Sequence, residues 1–256
     1  MKYVGSKNRI AKDIIPILLE NRTNENCFVD LFMGGCNIVD KVDGFRIAND
    51  INPYLVACAE ALSNGWLPPK TISEKMYYDV KYRKDAYDKA LVGYIGFQLS
   101  YGAKWFDAYR KDNIGTRDYS LEAYDHIKKQ TSKLKGIKFY NLDYRQVPIP
   151  ANSIIYCDPP YRFTTAYKSN QAKLDYTVFW QWCRTKSKEG HYVYISEYNH
   201  PADFKCIWQK EILKNLADAE CRETAIEKLV VYDKDAKVDQ VKQEFPSVLA
   251  PDSEWE

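Results

Sequence analysis

Asp158-Pro159-Pro160-Tyr161 stands directly behind the apolar run Ile154-Ile155-Tyr156-Cys157. Two prolines fix their own φ and donate no hydrogen bond, so they end a strand and stiffen the loop that follows. That loop is expected to be exposed, with an acid and an aromatic ring held close together and backbone carbonyls between them that neighbouring N–H groups cannot easily satisfy. Such a group can accept hydrogen bonds from an amino group while its ring stacks on the ring that bears that amine. The plainer reading is a strand-ending turn with a surface Asp, and four residues alone do not separate the two.

Two further acids sit where strands end. Phe28-Val29-Asp30-Leu31-Phe32 is a short apolar run followed by Met33-Gly34-Gly35-Cys36-Asn37, which predicts strand, glycine turn, then helix. A glycine turn lets a ligand approach the backbone, and Asp50, closing the run Arg46-Ile47-Ala48-Asn49, can take two ribose hydroxyls. The turn is not G-x-G-x-x-G, so the dinucleotide signature is absent. An adenosine-containing cofactor and a structural turn with a helix-capping Asp are about equally supported. Asp143, after a third strand end, is placed either to receive an adenine amino group or to cap a helix.

These positions require a parallel sheet. Strands are expected at residues 28–32, 46–50, 137–141, 154–157 and 192–196, helices from Pro53 and over Tyr176 to Lys188, and an antiparallel pair from Cys206–Ile212 and Glu227–Tyr232. Alternation of strand and helix predicts an α/β fold with ligands at the carboxyl ends of the strands. The domain reading follows: 1–64 and 136–234 form the sheet domain, and 65–135 is an inserted, mainly helical subdomain sharing little of the sheet's core. Residues 235–256 form a charged tail.

Charge is uneven. Residues 70–138 hold 15 Lys and Arg against 9 acids, and the first twelve residues hold Lys2, Lys7, Arg9 and Lys12 with no acid, whereas from Glu211 onward 12 acids face 6 bases. A basic middle attracts a polyanion such as nucleic acid, although solvated helix faces account for charge alone equally well. Lys104, Trp105, Tyr109, Arg110, Lys111, Asn113 and Arg117 are the densest mixture of cations and aromatics and are the candidates for nucleic-acid contact, which the resemblance given below makes contact with DNA. With 45% hydrophobic and 28% charged residues, composition is that of an ordinary globular protein. No apolar stretch approaches a membrane span and no signal peptide is visible, so a cytoplasmic protein without membrane attachment is expected. Seven scattered cysteines contain no C-x-x-C pair, and His126, His191 and His200 lack ligand spacing; no metal is expected.

Tyr3-Val4-Gly5-Ser6-Lys7, Asp30-Leu31-Phe32-Met33-Gly34-Gly35, Asn49-Asp50-Ile51-Asn52, Asp143-Tyr144 and Asp158-Pro159-Pro160-Tyr161 stand in the order seen in Dam-like DNA adenine-N6 methyltransferases, the D12 class or alpha group. The resemblance runs to about Tyr232. It implies a seven-stranded, mostly parallel, Rossmann-like sheet with a target-recognition insertion, S-adenosylmethionine as cofactor and a flipped-out adenine of double-stranded DNA as substrate. Carried over by position, Tyr3 and Lys7 border the methionine end of the cofactor and Asp30 its amino group. Phe32, Gly34 and Gly35 form its backbone-approach surface, Asp50 takes the ribose, and Asp143 with Tyr144 the adenine. Asp158, which also counts among the cofactor-binding residues, and the Pro159 carbonyl accept the N6 protons, Pro160 stiffens the loop, Tyr161 stacks on the base, and Arg162 and Phe163 are candidates for the same pocket. An N4-cytosine enzyme needs the same amine geometry, and a catalytically silent DNA-binding regulator of the same fold is the alternative from another class. A partner nuclease of a restriction-modification system is compatible with this reading, which leaves the oligomeric state open.

Overall fold

A computed structural model describes residues 1–112, 114–161, 174–213 and 224–236. Asn113, Arg162, Phe163 and residues 237–256 of the expected tail lie outside the described residues. Seven strands among them, β1 (Phe28–Asp30), β2 (Arg46–Asn49), β3 (Ile137–Tyr140), β4 (Ile154–Cys157), β5 (Tyr192–Ser196), β6 (Phe204–Leu213) and β7 (Thr224–Tyr232), form one sheet in the order β3-β2-β1-β4-β5-β7-β6. The five strands from β3 to β5 are parallel, while β7 runs antiparallel between β5 and β6. This seven-stranded, mostly parallel α/β sheet is consistent with the Rossmann-like fold expected from the resemblance.

Both faces of the sheet are covered, which is why its central strands read as continuous apolar runs. Side chains alternate across β4: Ile154 and Tyr156 join a cluster with α1 (Ala11–Leu19), α2 (Pro53–Ser63), α3 (Glu74–Tyr82), α4 (Lys89–Gln98) and α5 (Tyr119–Leu134). Ile155 and Cys157 join Phe179, Trp180 and Cys183 of α6 (Tyr176–Lys188) on the other face. Asn52 caps α2, accepting from the Tyr54 and Leu55 amides at 3.0 and 3.4 Å, and Pro53 takes the first helical position. Buried Asn49 locks three strand ends together, donating to the Leu31 and Leu142 carbonyls and accepting the Leu142 amide, each at 3.1 Å.

Two expectations need correction. The basic, tyrosine-rich segment is not set apart from the sheet's core. Ile72, Tyr77, Val80, Val92, Ile95, Phe97, Phe106, Ala123 and Ile127 belong to the same cluster as Phe28, Ala48 and Tyr156. Its helix α4 is buried on nearly every side because it is apolar all round. Nor does an α-helix follow the glycine turn: Gly34 at φ 45° and Cys36 at φ 59° interrupt helical backbone, leaving turns and a single 3-10 turn at Val39–Lys41. Among the described residues the cysteines are unpaired and buried, with Cys206 half-buried, and no helix is long and apolar enough to cross a membrane.

Candidate active site

Strand order reverses between β1 and β4, which both neighbour each other and send their chains to opposite sides of the sheet. A crevice at that switch point, beyond the carboxyl ends of the strands, is where open α/β sheets bind ligands. Asp30 ends β1 and Asp158 follows β4, so the sheet delivers both acids to the crevice. The resulting cavity has a volume of about 700 Å³ and is lined by Tyr3, Lys7, Asp30, Phe32, Gly34, Gly35, Asp50, Asp143, Tyr144 and Asp158 to Tyr161, with Lys104 and Trp105 at its edge.

The acids differ in what holds them. Asp50 accepts the Gly34 amide at 3.1 Å and the Asn52 amide at 2.9 Å, yet burial raises its pKa to about 6. Asp30 is buried with its Oδ1 lacking any hydrogen-bond partner. Burial first, then the nearby Asp158 and Asp50 carboxylates, push it well above the usual range. A buried carboxyl oxygen without a partner is costly and uncommon, and it suits a cationic donor from a ligand. Asp143 stands differently: Arg145 forks onto both its oxygens at 2.7 and 2.9 Å and pulls its pKa down.

The Asp158 loop is only in part the exposed turn expected from its prolines: Pro160 is exposed, while Asp158 and Tyr161 are half-buried. Pro159 is buried, and the Pro160 carbonyl accepts the hydroxyl of Tyr176, the first residue of α6. Asp158 itself pairs with Lys7, whose ammonium lies 2.8 Å from Oδ1 and is 6% exposed. Burial raises Asp158 to about 6, outweighing the downward pull of Lys7. Lys7 also lies 3.8 Å from Glu227 Oε1 and 4.5 Å from the centre of the Tyr161 ring. The Tyr161 hydroxyl donates to Glu227 Oε2 at 2.6 Å, and its ring meets Tyr198 edge-on at 4.4 Å. Sequence reasoning missed Glu227 and Tyr198. The signal for Glu227 was its phase: Ala225, Glu227 and Leu229 alternate inward on β7 while Ile226 points out.

The glycine turn serves packing by the N-terminal segment. A Cβ on Gly34 would meet the Tyr3 ring at 2.7 Å, and one on Gly35 the Met1 carbonyl at 2.6 Å. Phe32 and Tyr144 pack together at 5.7 Å and wall the cavity.

The candidate DNA-contact residues fall into two groups. Lys104 and Trp105 reach the cavity, Trp105 packing on Phe97 at 4.7 Å and Tyr54 at 5.1 Å. Tyr109 turns inward instead, donating to the Ile72 carbonyl at 2.6 Å. Arg110 and Arg117 both lie on the Tyr119 ring, Arg117 also forks onto Glu122, and Lys111 pairs with Glu74 at 3.3 Å. None of these four lines the cavity.

Residues 3–95 match the family described as D12 class N6 adenine-specific DNA methyltransferase. The chain is also similar to the curated Type II methyltransferase M.FokI of Planomicrobium okeanokoites, with 24% identity over 198 residues, 64% of this chain. The matched stretch spans only 29% of that relative's length. The matched region contains β1, β2, Lys7, Asp30 and Asp50, half of the switch-point crevice. Motif order and this match make residues 3–95 similar to a D12 class N6 adenine-specific DNA methyltransferase domain, and the strand order of the sheet is consistent with that likeness.

Proposed function

We propose that this chain transfers a methyl group from S-adenosylmethionine to N6 of an adenine flipped out of double-stranded DNA. The observation that carries this is the pairing of a half-buried Asp158 on Lys7 with a cavity that is also lined by Asp30, one of whose carboxyl oxygens has no hydrogen-bond partner. The residues fit the cofactor. Asp30 takes its ammonium, Asp50 the ribose hydroxyls, and Phe32 and Tyr144 flank the base, with Asp143 sharing its carboxylate between Arg145 and the adenine amine. When bound, S-adenosylmethionine supplies a methyl group on a sulfonium, a good leaving group.

The protein's own part concerns the amine. Adenine N6 is a poor nucleophile because its lone pair is delocalised into the ring. Asp158 and the Pro159 carbonyl each accept one N6 proton, which favours a pyramidal nitrogen with its lone pair free. Fixed acceptors in a dry crevice supply electrostatic preorganisation, and holding both reactants in line supplies proximity. An acid raised to about 6 is ionised at neutral pH and still able to take up the proton released after transfer. Tyr161 offsets part of the few kcal/mol needed to unstack the base. Residues 65–135 supply the DNA-contacting surface in this reading, with Lys104 and Trp105 nearest the target and Arg110, Lys111 and Arg117 holding phosphates. A restriction-modification setting with a partner nuclease completes the proposal.

Incubation with radiolabelled S-adenosylmethionine and unmethylated genomic DNA, followed by digestion to nucleosides, tests the reaction. Label in N6-methyladenine supports it; label in N4-methylcytosine keeps the mechanism and corrects the base. Absence of label despite cofactor and DNA binding sinks it. Two variants probe the crevice further. Asp30→Ala should weaken cofactor binding by about 2 kcal/mol, roughly thirtyfold, the scale of one charge-assisted hydrogen bond. Calorimetry would read this, with DNA affinity unchanged. Lys7→Met removes the ammonium whose charge and hydrogen bond hold Asp158 down, so the folded pKa rises further above about 6. The acid limb of the single-turnover rate should therefore move to higher pH, and a limb that stays put would show that Lys7 does not tune Asp158.

A further inference from the structure

We propose that Glu227 is a positioning residue of the target pocket, fixing the Tyr161 ring through its hydroxyl and sharing Lys7 with Asp158. This rests on the methyl-transfer reading above and names a residue on a strand that the motifs do not reach. Glu227 is 4% exposed and its side chain is aimed by the alternation of β7, so strand pairing with β5 and β6 sets its place. Its two oxygens do different work. Oε2 accepts the Tyr161 hydroxyl at 2.6 Å, and Oε1 faces the Lys7 ammonium at 3.8 Å.

Two consequences follow from that geometry. A tyrosine ring turns about two side-chain torsions, and the hydroxyl bond at its far end, with Tyr198 at 4.4 Å and Lys7 at 4.5 Å, holds one orientation. Reactive groups misplaced by about 1 Å can lose on the order of 100-fold in rate. Charge is the second. Lys7 and Asp158 alone cancel; with Glu227 the cluster holds two carboxylates and one ammonium, so a negative charge remains beside the nitrogen that becomes positive as it is methylated.

The ring can be followed without any reaction. Fluorotyrosine placed at position 161 of the full chain reports ring orientation and averaging by fluorine NMR. The unaltered protein should give one shifted, orientation-specific resonance, and Glu227→Ala should move and average it. Glu227→Gln keeps an oxygen that accepts the phenol and should restore the resonance. In single-turnover methylation, Glu227→Ala should lower the rate on the order of 10- to 100-fold with cofactor and DNA affinities unmoved, and Glu227→Gln should recover the larger part. A resonance unchanged in Glu227→Ala overturns the proposal, as does a loss confined to cofactor or DNA affinity. Should Glu227→Ala fail to fold, Glu227→Leu keeps the side-chain bulk and deletes the same hydrogen bond; an averaged resonance with the same rate loss supports the proposal, and an unchanged resonance overturns it. If the unaltered protein methylates nothing, the activity reading fails, and the fluorine spectra still decide whether Glu227 fixes the ring.

Discussion

Asp158→Ala is expected to lower single-turnover methyl transfer by about 10³-fold, the range in which a lost proton acceptor and a lost preorganised charge partner together fall. Cofactor and DNA affinities should change little, because Asp30, Asp50 and the basic surface remain. The variant leaves Lys7 buried without its 2.8 Å partner, so part of any effect could come from misfolding. Glu227 at 3.8 Å keeps that ammonium paired, and circular dichroism with a thermal melt separates folding from chemistry. Asp158→Asn sharpens the result. Its amide oxygen still accepts one N6 proton but cannot take the proton up, so its rate should fall between alanine and the unaltered protein. Full activity in Asp158→Ala would end the mechanism proposed here.

Gly93→Ala is expected to destabilise the fold by about 3 kcal/mol or more, at the upper end of overpacking costs. Alanine is the better helix former by about 1 kcal/mol, which argues the other way in α4. The contact decides: a Cβ at this position would lie 2.1 Å from the Tyr54 carbonyl oxygen and 2.8 Å from its carbon. Those are backbone atoms in the first turn of α2, which the Asn52 cap ties to the Asp50 loop. Relief by moving α2 would therefore displace the carboxylate proposed for the ribose, so cofactor affinity should fall along with stability. A melting temperature lower by roughly 6–12 °C is the expected reading, at about 2–4 °C per kcal/mol for a chain near this size. Gly96→Ala is the comparison. Its Cβ would meet the Trp105 and Phe106 rings at 2.5 and 2.7 Å, side chains that can rotate aside, and a smaller loss is expected. Equal stability of Gly93→Ala and the unaltered protein would show that the two helices are not in this close contact.

The sheet was legible because its signals are local. Ile154–Cys157 is an apolar run stopped by prolines, Tyr192–Ser196 and Tyr176–Lys188 carry clear periods, and all three occur at the expected bounds. The C-terminal antiparallel pair was legible for the same reason. Other features depend on partners far along the chain. Nothing near Gly34 announces that the Tyr3 ring fills the space beside it. The basic middle segment looks polar on average, and the average hides α4, whose burial against α2 ties that segment to the core. At the site, acids at strand ends were visible as acids, but their surroundings were not. Arg145 two residues on captures Asp143, while Asp30 is left with an oxygen unpartnered. Glu227 sat in a run read only as a strand, because an acid on an inward phase has no motif of its own.

The placing of β7 also bears on the order of events during synthesis. Among the described residues β6 borders β7 alone, and β7 seals the edge of β5. A nascent chain that has reached Leu213 therefore carries a strand with no sheet neighbour and an open, apolar β5 edge, the kind of surface on which partly made chains aggregate. It also lacks Glu227, although Lys7 and Asp158 have already been made. Translation thus supplies every crevice residue up to Val178 and Tyr198 before it supplies Glu227, the residue proposed to anchor the aromatic ring.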